Sequence, residues 1–155
     1  MNKFMCRRYL LFCVSLFVNA LGIAFITKAA LGTSPITSVT YVLSMFTPFT
    51  IGQWTILLNL LFVILELFLM TREDLKSDLR MYLLQIPISF CFGMFIDLCM
   101  HYILFWLNPV EYVYMIVALL IGCVILAVGI ALEVKANAAM MAGEYFVKVI
   151  TRRFR

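Results

Sequence analysis

Seven residues in this chain could do chemistry if the stretches around them are membrane helices: Asp97, Lys28, Lys135, Glu133, Asn19, Asn59 and Ser34. Asp97 is the sharpest of them. A carboxylate at the bilayer centre costs about 2.5–3.5 kcal/mol on insertion scales, a cost normally offset by a partner or a wet cavity. There it would bind a cation or exchange a proton, although its place 17 residues into an apolar run also suits the far interface. Lys28 closes an apolar run and is followed by "LGTSP", where Thr33 or Ser34 can cap a helix whose first residue is Pro35. A lysine beside the free N–H groups of a helix start is a ready anion site; the plainer alternative is a side chain snorkelling to headgroups. Lys135 invites the same two readings, and Glu133 either pairs with it or marks an interface. Asn19 and Asn59 can bind a solute or bond across a helix contact. No metal is expected, since the single histidine, His101, has no second ligand at suitable spacing. The five cysteines (Cys6, Cys13, Cys91, Cys99 and Cys123) show no metal or redox spacing.

The elements that must position these groups follow from composition. The chain is 65% hydrophobic and only 13% charged, with a mean hydropathy of +1.07. Soluble domains are nearer half apolar and a quarter charged, so most of this apolar surface must face lipid. Four runs, Tyr9–Thr27, Trp54–Met70, Met81–Phe105 and Tyr112–Leu132, have about the 20 residues needed to span. Because lipid offers backbone groups no partner, they must be helices. Between the first two, Pro35, Pro48 and Gly52 break the uncharged stretch, which predicts a short helix over 35–45 that dips into the membrane or lies on it. A second amphipathic helix is expected over 135–150, with Glu144 and Lys148 one turn apart. Pro87 is expected to kink the third span. The fold class is therefore all-α: a single membrane domain over 1–155, with four transmembrane helices and short re-entrant or interfacial ones.

Each span carries one small or polar stripe. Ser15, Asn19 and Gly22 form the first, Thr55, Asn59 and Glu66 the second, Gln85, Ser89, Gly93, Asp97 and His101 the third, and Ala118, Gly122, Gly129 and Glu133 the fourth. Such stripes serve either close helix packing or a shared polar interior. Lys3, Arg7, Arg8, Arg72, Lys76, Arg80, Lys148, Arg152, Arg153 and Arg155 all fall on one side after four crossings. That arrangement predicts a cytoplasmic N-terminus. The net charge of +4 is then topological and gives no reason to expect nucleic acid.

The chain also repeats itself. "GIAFITKAALGTSP" from Gly22 and "GIALEVKANAAMMA" from Gly129 align Gly22 with Gly129, Lys28 with Lys135 and Ala29 with Ala136. Three crossings lie between the two, so they would run in opposite directions. That is an inverted-topology repeat of the kind found in many transporters. It divides the chain into a first repeat over 9–105 and an incomplete second over 112–155. The same stretches, with "TIGQW" and "GMFIDL", resemble the YczE/YyaS/YitT set of bacterial integral membrane proteins. The most specific parts are K-A-x-L-G-x-S-P at Lys28–Pro35 and G-x-x-x-D at Gly93–Asp97. The resemblance implies about six spans and a bacterial inner-membrane location, but hardly an activity. Two spans are then expected to come from a longer chain, from a homo-oligomer or from a partner chain.

Enzyme motifs are absent: there is no P-loop, GxSxG or HExxH, so neither catalysis nor a cofactor is expected. The leading expectation is a transporter of a small solute or ion with its site at the repeat interface. The alternative is a non-transporting membrane subunit or scaffold that assists a partner complex.

Overall fold

The computed structural model describes residues 3–70, 72–136 and 141–153. Residues 137–140 of the second repeat therefore lie outside the described residues. The described residues form six α-helices: α1 (Lys3–Lys28), α2 (Pro35–Phe46), α3 (Ile51–Leu69), α4 (Arg72–Leu98), α5 (Tyr112–Ala136) and α6 (Ala142–Arg153). Four stretches, Arg7–Lys28, Ile51–Leu69, Tyr82–Ile103 and Tyr112–Ala136, are long and apolar enough to cross a membrane. The protein is a helical membrane bundle, and α2 and α6, at 12 residues each, are too short to span it.

Several helices overrun the apolar limits that predicted them. α1 starts six residues before Tyr9, and α5 continues past Leu132 to Ala136. A charged residue ends the stretch that prefers lipid, yet backbone hydrogen bonding continues into water without penalty. α6 begins at Ala142 rather than at 135, because α5 claims Lys135 and Ala136. α4 runs through Pro87 to Leu98 and then widens into a π-helical turn, Cys99–Ile103, closed by the Leu104 amide on the Cys99 carbonyl at 2.9 Å.

Burial is arranged as lipid requires. Ser15, Asn19, Thr40 and Glu66 are fully enclosed, while Leu10, Phe68, Val113 and Val124 face outward. The predicted stripes are therefore the inward faces, except that His101, at the end of the third, is exposed.

Two antiparallel pairs make up the bundle. α1 packs most extensively on α5, where Gly22 meets Leu126, Ile26 meets Gly122, and Asn19 meets Gly129. Numbers rise along one helix as they fall along the other. α3 lies against α4 in the same sense, with Gly52 against Gly93 and the Tyr82 hydroxyl donating to the Val63 carbonyl at 3.2 Å. At both crossings a glycine removes the side chain that would hold the backbones apart. Phe17 and Phe95, edge to face at 5.6 Å, join the pairs through α1 and α4. Phe62 and Phe146, stacked at 5.3 Å, fix α6 on α3.

Candidate functional site

Ser34 caps α2, its hydroxyl accepting the Thr37 amide at 3.3 Å and donating to the Thr37 hydroxyl at 2.9 Å. Pro35 takes the first helical position, where its missing N–H costs nothing. Thr40 donates to the Thr37 carbonyl at 2.9 Å. Ser34, Thr37 and Thr40 recur every three residues, so the face of α2 turned to the bundle is polar but supplies most of its own hydrogen bonds.

That face lines a partly open cavity of about 250 Å³, at whose edge Ser34, Ile36 and Ile130 are exposed. Asn19 and Ile23 come from α1, Thr55 and Asn59 from α3, Phe92 and Ile96 from α4, and Leu126 and Ile130 from α5. Met141 and Gly143 bring in the start of α6. Both short helices thus begin at the same cavity, and a Cβ placed on Gly143 would lie 3.4 Å from Cδ1 of Ile36. Helix starts carry partial positive charge, so the two impose a polar field on a mostly apolar chamber. A wider depression of about 550 Å³ lies under residues 106–111, but none of the described residues that line it carries a buried, unpartnered polar side-chain atom. Volume alone therefore does not choose between them.

The polar groups differ in how they are satisfied. Thr55 donates to the Ile51 carbonyl at 2.8 Å. Asn19, completely buried, donates through Nδ2 to Oε2 of Glu133 at 2.8 Å, and its Oδ1 accepts no hydrogen bond among the described residues. Gly129 leaves the room for this asparagine, since a Cβ there would collide with Oδ1 of Asn19. Asn59 is also buried, and its amide forms no hydrogen bond among the described residues.

Three of the seven predicted site residues, Asn19, Asn59 and Ser34, therefore meet at one cavity, with Glu133 directly behind the first. The other three are elsewhere. Asp97 accepts the Thr50 hydroxyl at 2.6 Å and the Gly52 amide at 3.0 Å. Thr50 is the N-cap of α3, held by a capping box with Gln53. Asp97 thus reinforces a helix start, an arrangement that suits the positive end of the helix. Lys28, half-buried, ends α1, and Lys135, exposed, lies at the end of α5. Neither lines the cavity. His101, exposed, places Nδ1 3.1 Å from the Asp97 carbonyl. Sequence reasoning passed over Thr37 and Thr40 as site residues. Their step of three after a serine cap was the available signal.

A profile of the family of unknown function DUF6198 matches residues 6–155, and the chain belongs to that family. No curated protein and no solved structure matches it.

Proposed function

We propose that this member of DUF6198 is a transporter of a small solute and that the cavity between its helices is the binding site. The observation behind this reading is the fully buried Asn19 Oδ1, an acceptor left without a donor at the wall of a cavity. A buried acceptor without a partner costs about 1–3 kcal/mol. A solute that donates a hydrogen bond would offset that cost, and Asn59 could hold its other end. The apolar remainder of the wall favours a small neutral molecule with both apolar and donor groups.

The succession of a long helix and a short one that starts at the cavity, α1 then α2 and α5 then α6, supports the inverted-repeat reading. The K-A-x-L-G-x-S-P run supports kinship with the YczE/YyaS/YitT set. The basic residues favour an inner-membrane protein with a cytoplasmic N-terminus. Single cysteines at Ala30 and Asn137 in a cysteine-free background test this orientation. Labelling of intact cells by an impermeant thiol reagent at 30 and not at 137 is the expected result. Equal labelling at both positions would remove the inverted arrangement. The rival subunit reading draws on α5, of which only 17% is buried, leaving a long face that a partner chain could cover in place of lipid.

The binding test uses purified protein in detergent and a panel of small amides, alcohols and amines. One or more should raise the melting temperature of the wild type, by the linkage that gives about 2.7 kcal/mol at a hundred times Kd. Asn59→Leu, which breaks no existing hydrogen bond, should keep the fold and lose the shift. A panel without effect on the wild type, or an equal shift in Asn59→Leu, would overturn the assignment of the cavity.

A further inference from the structure

Between α3 and its neighbour α4 lies a second buried polar pair that does not line the cavity. Glu66 is 0% exposed and Gln85 is 1% exposed. The amide lies beside the carboxyl, yet both oxygens of Glu66 and both polar atoms of Gln85 make no hydrogen bond within 3.5 Å among the described residues. Four unpartnered polar atoms at one helix contact are costly in any protein and more so between membrane helices.

We propose that Glu66 and Gln85 form a proton-binding site, in which a proton bound to the Glu66 carboxyl is shared with the Gln85 amide. The chemistry of the pair supports this. An ionised carboxylate can only accept, so it can take one N–H of the amide and leaves the amide oxygen facing negative charge. A protonated carboxyl is donor and acceptor at once. Its O–H can donate to Oε1 of Gln85 while its carbonyl oxygen accepts Nε2–H, which satisfies both side chains in a closed ring after a small approach. Among the described residues, no basic side chain bonds to the Glu66 carboxyl. From α4, Tyr82 directs its hydroxyl to the Val63 carbonyl, and Ser89 directs its own to the Gln85 carbonyl at 2.7 Å. From α6, which also packs on α3, Lys148 lies over the Tyr145 ring at 5.6 Å. The site stands independently of the solute cavity, because none of its residues lines that cavity.

Infrared spectroscopy of the purified protein at neutral pH tests the assignment. The wild type should show a protonated-carboxyl C=O band that is missing from Glu66→Gln, a variant of nearly the same shape that keeps the helix contact. Gln85→Leu should retain the band and move it to higher frequency, since the acceptor for the O–H is gone. This second variant serves if the first does not fold. A wild-type spectrum without the band, or a band unchanged in either variant, overturns the proposal. Solute-induced melting shifts should persist in Glu66→Gln, so failure here and failure of the cavity reading are separately visible.

Discussion

Replacing Asp97 by alanine is expected to destabilise the protein by about 3 kcal/mol, because two hydrogen bonds to a charged acceptor, each worth about 1.5 kcal/mol at the low end, disappear together. The hydroxyl of Thr50 and the amide of Gly52 would lose their common acceptor at the start of α3. Asp97→Asn should cost less than half as much. Its Oδ1 can still accept the Gly52 amide, and its NH2 can donate to the Thr50 oxygen. Denaturant unfolding in detergent, followed by tryptophan fluorescence, reads both variants; Trp54 sits one turn from the altered cap. Equal losses in the two would mean that charge, and not hydrogen bonding, holds the helix start. A solute-induced melting shift lost in Asp97→Asn, with stability kept, would return Asp97 to the role of a ligand-binding group.

The second large effect is expected at Gly22. Alanine there would place its Cβ 2.8 Å from the Leu126 nitrogen and 2.9 Å from its Cα. These are backbone atoms, which no change of rotamer can move aside, so α1 and α5 would have to separate. Overpacking of this kind costs about 1–3 kcal/mol, and the rigid obstacle puts Gly22→Ala at the upper end. Gly143→Ala is the matched control, because its new Cβ would meet nothing nearer than Ile36 Cδ1 at 3.4 Å. It should stay within about 1 kcal/mol of the wild type. Equal melting temperatures for Gly22→Ala and the wild type would contradict the close crossing of α1 and α5.

The inward stripes were readable beforehand because lipid gives a buried polar group no reason to exist except a neighbour. Thus Ser15, Asn19 and Gly22 announced one face, and Gly122, Gly129 and Glu133 another. The identity of the neighbour was not readable. Nothing local to Asn19 says that Glu133, 114 residues away, completes it. Nor does anything near Asp97 point to Thr50, 47 residues earlier. Thr37 and Thr40 were obscured for a different reason. A threonine in a helix can return its hydroxyl to its own backbone, as Thr40 does, so an apolar helix with threonines looks the same whether it faces lipid or a chamber. The cost of burying a carboxylate makes Asp97 stand out in the sequence, and the structure supplies a helix terminus as its compensation.

The Thr50 hydroxyl accepts the Gln53 amide at 3.1 Å while donating to Asp97. One turn away the Trp54 indole donates to Thr47 at 2.7 Å. These short polar links rivet the α2–α3 hairpin to the end of α4 in a single block. The glycines of α1 and α5 weld those two helices into another. The walls of the chamber are divided between the blocks, with Asn19 and Leu126 on one and Asn59 and Phe92 on the other. A guest held by both asparagines would therefore act as a clasp across a seam, and the width of that seam, not the bending of any helix, would set the volume available to it.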